Sequence, residues 1–61
     1  METYGTASTA LHLYELEVRE LGSESPSPEW KRIEVYANTR SQAGKIARLA
    51  GYDVCSVNMV G

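Results

Sequence analysis

The segment from Trp30 to Val60 constrains the fold most, because its local signals follow one another in a single workable order. From Trp30 to Ala37 one residue in two is apolar on one side, with Ile33, Val35 and Ala37 facing one way and Trp30, Arg32, Glu34 and Tyr36 the other. That is the period of a half-buried strand. Thr39-Arg40-Ser41-Gln42 then has the spacing of a capping box, in which a cap hydroxyl and an amide three residues on satisfy each other's backbone donors; Thr39 or Asn38 serves as the cap. Ala43, Ile46, Ala47, Leu49 and Ala50 recur at helical spacing. Gly51 falls where a left-handed residue ends a helix, and Tyr52 to Val60 alternates again. Strand, helix and strand in this order imply a right-handed crossover between parallel strands.

Upstream, Ala10 to Leu21 reads as a long strand with Tyr14, Leu16 and Val18 opposite Glu15, Glu17 and Arg19. Leu11 and Leu13 fall on the polar side of that alternation. Either a bulge near Leu13 shifts the register or both faces are covered there, and the second is expected. Gly22 to Pro28, with two prolines and a glycine, reads as a loop with a mobile tip. Met1 to Thr9 is small and polar and reads as a flexible tail. The expected fold is therefore α+β: a tail over residues 1–9, then one β-β-α-β domain over residues 10–61. Its three-stranded antiparallel sheet has the order 2-1-3, with one helix on one face. The expected core is Tyr14, Leu16, Val18, Ile33, Val35, Ala43, Ile46, Ala47, Leu49, Ala50, Cys55, Val57 and Met59. Gly44, in the middle of the helix, suggests the close approach of another group.

A chain of 61 residues buries only about 60% of its unfolded surface, and domains this small usually lean on disulfides, metal or a partner chain. One cysteine, Cys55, and one histidine, His12, supply neither an internal disulfide nor a zinc cluster. Oligomerisation remains, so a homodimer is expected. The net charge of −2 is that of an ordinary surface and argues against a protein built mainly to grip nucleic-acid backbone. Neither a membrane-spanning run nor a signal peptide is evident, so a cytoplasmic location with Cys55 reduced is expected.

The chemistry-bearing residues do not assemble into a catalytic pattern. His12 has no evident partner, and Glu15 and Glu17 are strand neighbours on one face rather than an acid–base pair. Cys55 alternates with Val57 and Met59 and reads as a small core residue. The glycines are scattered, so no phosphate loop is present. A non-enzymatic protein without cofactor, metal or small-molecule substrate is expected.

What the pattern does provide is a surface. One helix covers one sheet face, leaving Leu11, Leu13, Trp30, Arg32, Tyr36 and Tyr52 on the other as candidate protein-binding residues, with Val54 and several glutamates among them. The partner would be a second copy or another protein, and open strand edges offer a further route. The alternative is a nucleic-acid-binding regulator using Arg40, Lys45 and Arg48 on the outer helix surface.

The run Ser41-Gln42-Ala43-Gly44-Lys45-Ile46-Ala47-Arg48-Leu49-Ala50-Gly51-Tyr52-Asp53-Val54-Cys55-Ser56-Val57 resembles small orphan accessory proteins of actinobacterial phages, mycobacteriophage-like in type. These likewise run strand, strand, alanine-rich helix ending in Ala-Gly, then a valine-rich strand. The resemblance covers about half the chain. It implies a virus-encoded accessory protein in the host cytoplasm that binds and modulates a host protein, and it carries no site residues with it.

Overall fold

The computed structural model describes residues 2–22 and 29–61, so the loop expected at Gly22 to Pro28 lies almost wholly outside the described residues. Five elements follow in order: β1 (Glu2–Tyr4), β2 (His12–Glu20), β3 (Lys31–Ala37), α1 (Arg40–Leu49) and β4 (Tyr52–Met59). The sheet is four-stranded and mixed, in the order β1-β3-β2-β4. This corrects the expected three-stranded antiparallel sheet. Residues read as part of a tail supply a fourth strand, parallel to β3, with Glu2, Thr3 and Tyr4 opposite Ile33, Glu34 and Val35. β2 is antiparallel to both β3 and β4.

The capping box forms as its chemistry requires. The Thr39 hydroxyl accepts from the Gln42 amide at 3.1 Å, and the Gln42 side chain accepts from the Asn38 amide at 2.6 Å. The reciprocal bond thus reaches one residue beyond the cap. Gly51, at φ +97°, turns the chain out of α1 and into β4.

The core lies between α1 and the sheet. Leu16, Val18, Ile33 and Val35 are its largest fully buried side chains, joined by Tyr14, Ala37, Ala43, Ala47 and Tyr52. Leu49 is 79% exposed, which corrects its expected core position. It follows Ala47 by two residues, about 200° around the helix axis, and so points away from the sheet. Ala50, just past the helix, is exposed as well.

The largest departure lies in β4. Leu16 and Glu17 pair with Val57 and Ser56, but Val18 pairs with Val54, so Cys55 is an extra residue in a β-bulge. The bulge inverts the alternation. Tyr52 and Val54 share the helix side with Val57 and Met59, and Cys55 is exposed. Three expectations are corrected here: Cys55 does not enter the core, Tyr52 is not on the open face but buried at 5% exposure, and Val54 leaves the open face to pack against the core. Met59 is on the helix side, opposite Tyr14, yet 59% exposed, because it lies past Val57, where the first helical residue reaches β4. β2 and β3 pair without a shift, so no bulge in that pairing displaces Leu13, and among the described residues no element supplies the expected cover on the Leu13 side of the sheet.

Two glycines have opposite roles. Gly5 ends β1 at φ +82°, and a Cβ there would stand 2.5 Å from the Tyr36 carbonyl oxygen. Gly44 is buried, but a Cβ would meet only the Arg48 guanidinium, at 3.9 Å, so no close approach requires a glycine. Gly44→Ala is therefore expected to raise unfolding free energy by up to about 1 kcal/mol. Gly5→Ala is expected to lower it and to abolish protection of the β1 amides that face β3. Denaturant titration and hydrogen exchange read these outcomes.

Candidate interaction surfaces

The sheet face away from α1 follows from the cross-strand register. Leu13, Glu15, Glu17 and Arg19 of β2 stand opposite Tyr36, Glu34, Arg32 and the approach to β3. On the other side Glu15, Glu17 and Arg19 stand opposite Asn58, Ser56 and Asp53 of β4. Thr3 of β1 joins beside Glu34. Among the described residues, no element lies over this face.

The face has three zones. At one end Leu13 and Tyr36 pair, and the Val60 and Gly61 amides both donate to the Leu13 carbonyl, which sets Val60 beside Leu13 just past the end of β4. Leu11 lies just before β2, its amide donating to the Asn38 side chain at 3.0 Å. Leu11 and Val60 are 77% and 55% exposed. The middle is acidic. Glu15 and Glu34 are direct cross-strand partners, a like-charge arrangement that costs stability. Arg32 offsets part of it at 3.8 Å from Glu15, and the Thr3 hydroxyl lies 3.4 Å from Glu34. At the far end Arg19 binds Asp53 at 3.1 Å and lies 4.8 Å from the centre of the Trp30 ring.

The expected protein-binding residues are therefore divided. Leu11, Leu13 and Tyr36 gather at one end, Arg32 and Trp30 lie toward the other, and Tyr52 is under the helix side.

Tyr52 instead belongs to a network that sequence reasoning missed. The Tyr4 and Tyr52 hydroxyls each donate to the same Glu2 carboxylate oxygen at 2.6 Å. Their own oxygens are 2.9 Å apart, and their rings meet edge to face. Each hydroxyl has one proton, so with both donated to Glu2 the contact between them carries none of its own. Lys31 reaches the other Glu2 oxygen at 3.2 Å, lies 3.6 Å from Glu20, and stands 4.8 Å from the Tyr52 ring centre. Donation from Tyr4, then Tyr52 and Lys31, holds the Glu2 carboxyl down at about 2. The same contacts push Tyr4 up, chiefly through Glu2, and Lys31 up, chiefly through Tyr52. The alternation of Glu2 and Tyr4 was the available signal, and it is too short to stand out from a polar tail.

The helix cations do not form one basic face. Arg40 turns toward β4 and donates to the Val57 carbonyl at 2.8 Å. Arg48 lies over Gly44, which is buried, so the Arg40-Gly44-Arg48 row runs along the flank facing β4 rather than over the outer surface. Lys45 is exposed, about 100° around the axis from Gly44. Among the described residues no group of histidine, cysteine and acidic side chains could hold a metal ion, and no helix is long and apolar enough to cross a membrane. His12 packs edge to face against Tyr14, with ring centres 6.1 Å apart.

Comparison of the chain with family models, with curated proteins and with solved structures gave no match.

The Glu2 network makes β1 docking sensitive to acid. Glu2 ionises at about 2 when folded against an ordinary 4.5, so its contribution is complete above pH 4.5 and is lost as pH falls through 2. Protection of the β1 amides that face β3 is expected to fall across that window and stay level from pH 5 to 9, a range set by the ordinary carboxylate and tyrosine values. Glu2→Gln is expected to weaken β1 docking at neutral pH and flatten the acid response.

Proposed function

We propose that the protein is a small non-enzymatic protein-interaction module whose open sheet face seats its partner. The observation that carries this reading is the face itself: an uncovered surface with Leu11, Leu13, Tyr36 and Val60 at one end and Trp30 at the other. Clustered apolar side chains beside charged ones, on a rigid sheet, are what a binding surface needs: anchors that exclude water and polar groups that set orientation. The resemblance to phage accessory proteins extends the proposal to a virus-encoded protein that binds and modulates a host protein in the host cytoplasm. The nucleic-acid reading has less support, because Arg40, Lys45 and Arg48 diverge and the open face is acidic.

The reading is tested with a photo-crosslinking amino acid placed singly at Val60, at Arg32 and at Lys45, in cells that contain the natural partners. Discrete protein adducts are expected from positions 60 and 32 and not from 45. Adducts from position 45 alone, or adducts to nucleic acid, would overturn it.

A further inference from the structure

We infer that the partner segment seated on the open sheet face is basic: a polypeptide stretch with arginine or lysine side chains over Glu15, Glu17 and Glu34, and an apolar side chain against Leu13 and Tyr36. The inference rests on the interaction reading above and names the chemistry of the partner.

The argument is where the charge lies. Glu15, Glu17, Glu34 and Asp53 share this face with only Arg19 and Arg32. Four carboxylates against two guanidiniums leave an excess of two negative charges, which equals the net charge of the whole chain. The remaining acids (Glu2, Glu20, Glu24 and Glu29) are matched in number by Lys31, Arg40, Lys45 and Arg48. Among the described strand residues the uncovered face thus carries twice as many acids as bases. The two guanidiniums are also committed, Arg19 to Asp53 and Trp30, and Arg32 to Glu15. Glu17 makes no ion pair or side-chain hydrogen bond among the described residues. Its Cα partners are Arg32 and Ser56, and the Arg32 guanidinium leans to Glu15 instead.

A basic partner relieves the repulsion between Glu15 and Glu34 that the sheet register imposes. The same charges disfavour other occupants. A second copy laid face to face would set carboxylates against carboxylates. A second copy presenting its helix would offer divergent cations, one of them occupied by the Val57 carbonyl. Nucleic-acid phosphates would be repelled. On an extended segment residues two apart share a side, so cations at successive alternate positions followed by an apolar residue at the next such position all face the sheet and match the order Glu17, Glu15, Leu13.

The test uses a short peptide with arginine at successive alternate positions, valine at the next such position and serine between them, and its counterpart with glutamate in place of arginine, each added to the full protein and followed by amide chemical shifts. The arginine peptide is expected to move signals of Leu13 to Glu17 and of Arg32 to Tyr36, leave those of α1 in place, and weaken at high salt. Glu17→Gln is expected to weaken it about 2- to 5-fold, the range for a partly exposed ion pair, with an unchanged melting midpoint. Glu20→Gln makes the same change in net charge on the helix side of the sheet and is expected to leave affinity unaltered. Equal loss in both variants, shifts on α1, or equal binding of the glutamate peptide would overturn the inference. So would self-association that shields this face in sedimentation of the protein alone. If crosslinking at positions 60 and 32 traps a protein while the arginine peptide fails to bind, the basic partner is wrong and the interaction reading stands. If both fail, both are wrong.

Discussion

The arrangement depends on one extra residue in β4. Without the bulge at Cys55, strict alternation would put Tyr52 on the open face and Cys55 beneath the helix. With it, Tyr52 turns to the helix side, where its ring and hydroxyl reach the start of the chain. Glu2 and Tyr4 then have something to bind, and a three-residue segment too short to hold itself becomes the fourth strand. The bulge therefore acts on β1, at the opposite edge of the sheet. A local change of register in one outer strand positions the other through a pair of tyrosines that spans the two central strands.

The same features manage the sheet's edges. An outer strand with free backbone donors and acceptors invites unwanted pairing. β1 is only three residues long, and β4 is interrupted by its bulge while Arg40 takes up the Val57 carbonyl. With both edges blunted, edge pairing between copies has less to work with than the strand pattern alone suggests. The sheet face becomes the more accessible surface. Stability comes from a short central packing of Leu16, Val18, Ile33 and Val35 under Ala43 and Ala47, whose small side chains let the helix lie close.

Much of this is legible in the residues wherever a signal repeats. The alternations in β2 and β3 are long enough to assign faces, and Thr39, Gln42 and Gly51 mark the helix ends through specific backbone bonds. The rest is illegible for physical reasons. A bulge leaves no clear trace in the run from Tyr52 to Met59, because alternation looks equally good on either side of Cys55. β1 is stabilised by contacts to Tyr52 and Lys31, each nearly thirty or more residues away, and by no local propensity. Leu49 counts as apolar at helical spacing, yet it falls on the far side of the axis. The sequence mixes apolar residues with Arg32 and glutamates on the open face, and cross-strand pairing sorts them into an acidic middle between an apolar end and a Trp30–Arg19 end.

The central claim is that the Cys55 bulge places Tyr52 against Tyr4 on the helix side of the sheet. Nuclear Overhauser contacts from the Tyr52 ring test it most directly. Cross-peaks from Tyr52 to the Tyr4 ring, together with backbone contacts pairing Val18 with Val54, are expected. Cross-peaks from Tyr52 to residues of the open face, or pairing of Val18 with Cys55, would contradict the account and return the sheet to an unbroken alternation.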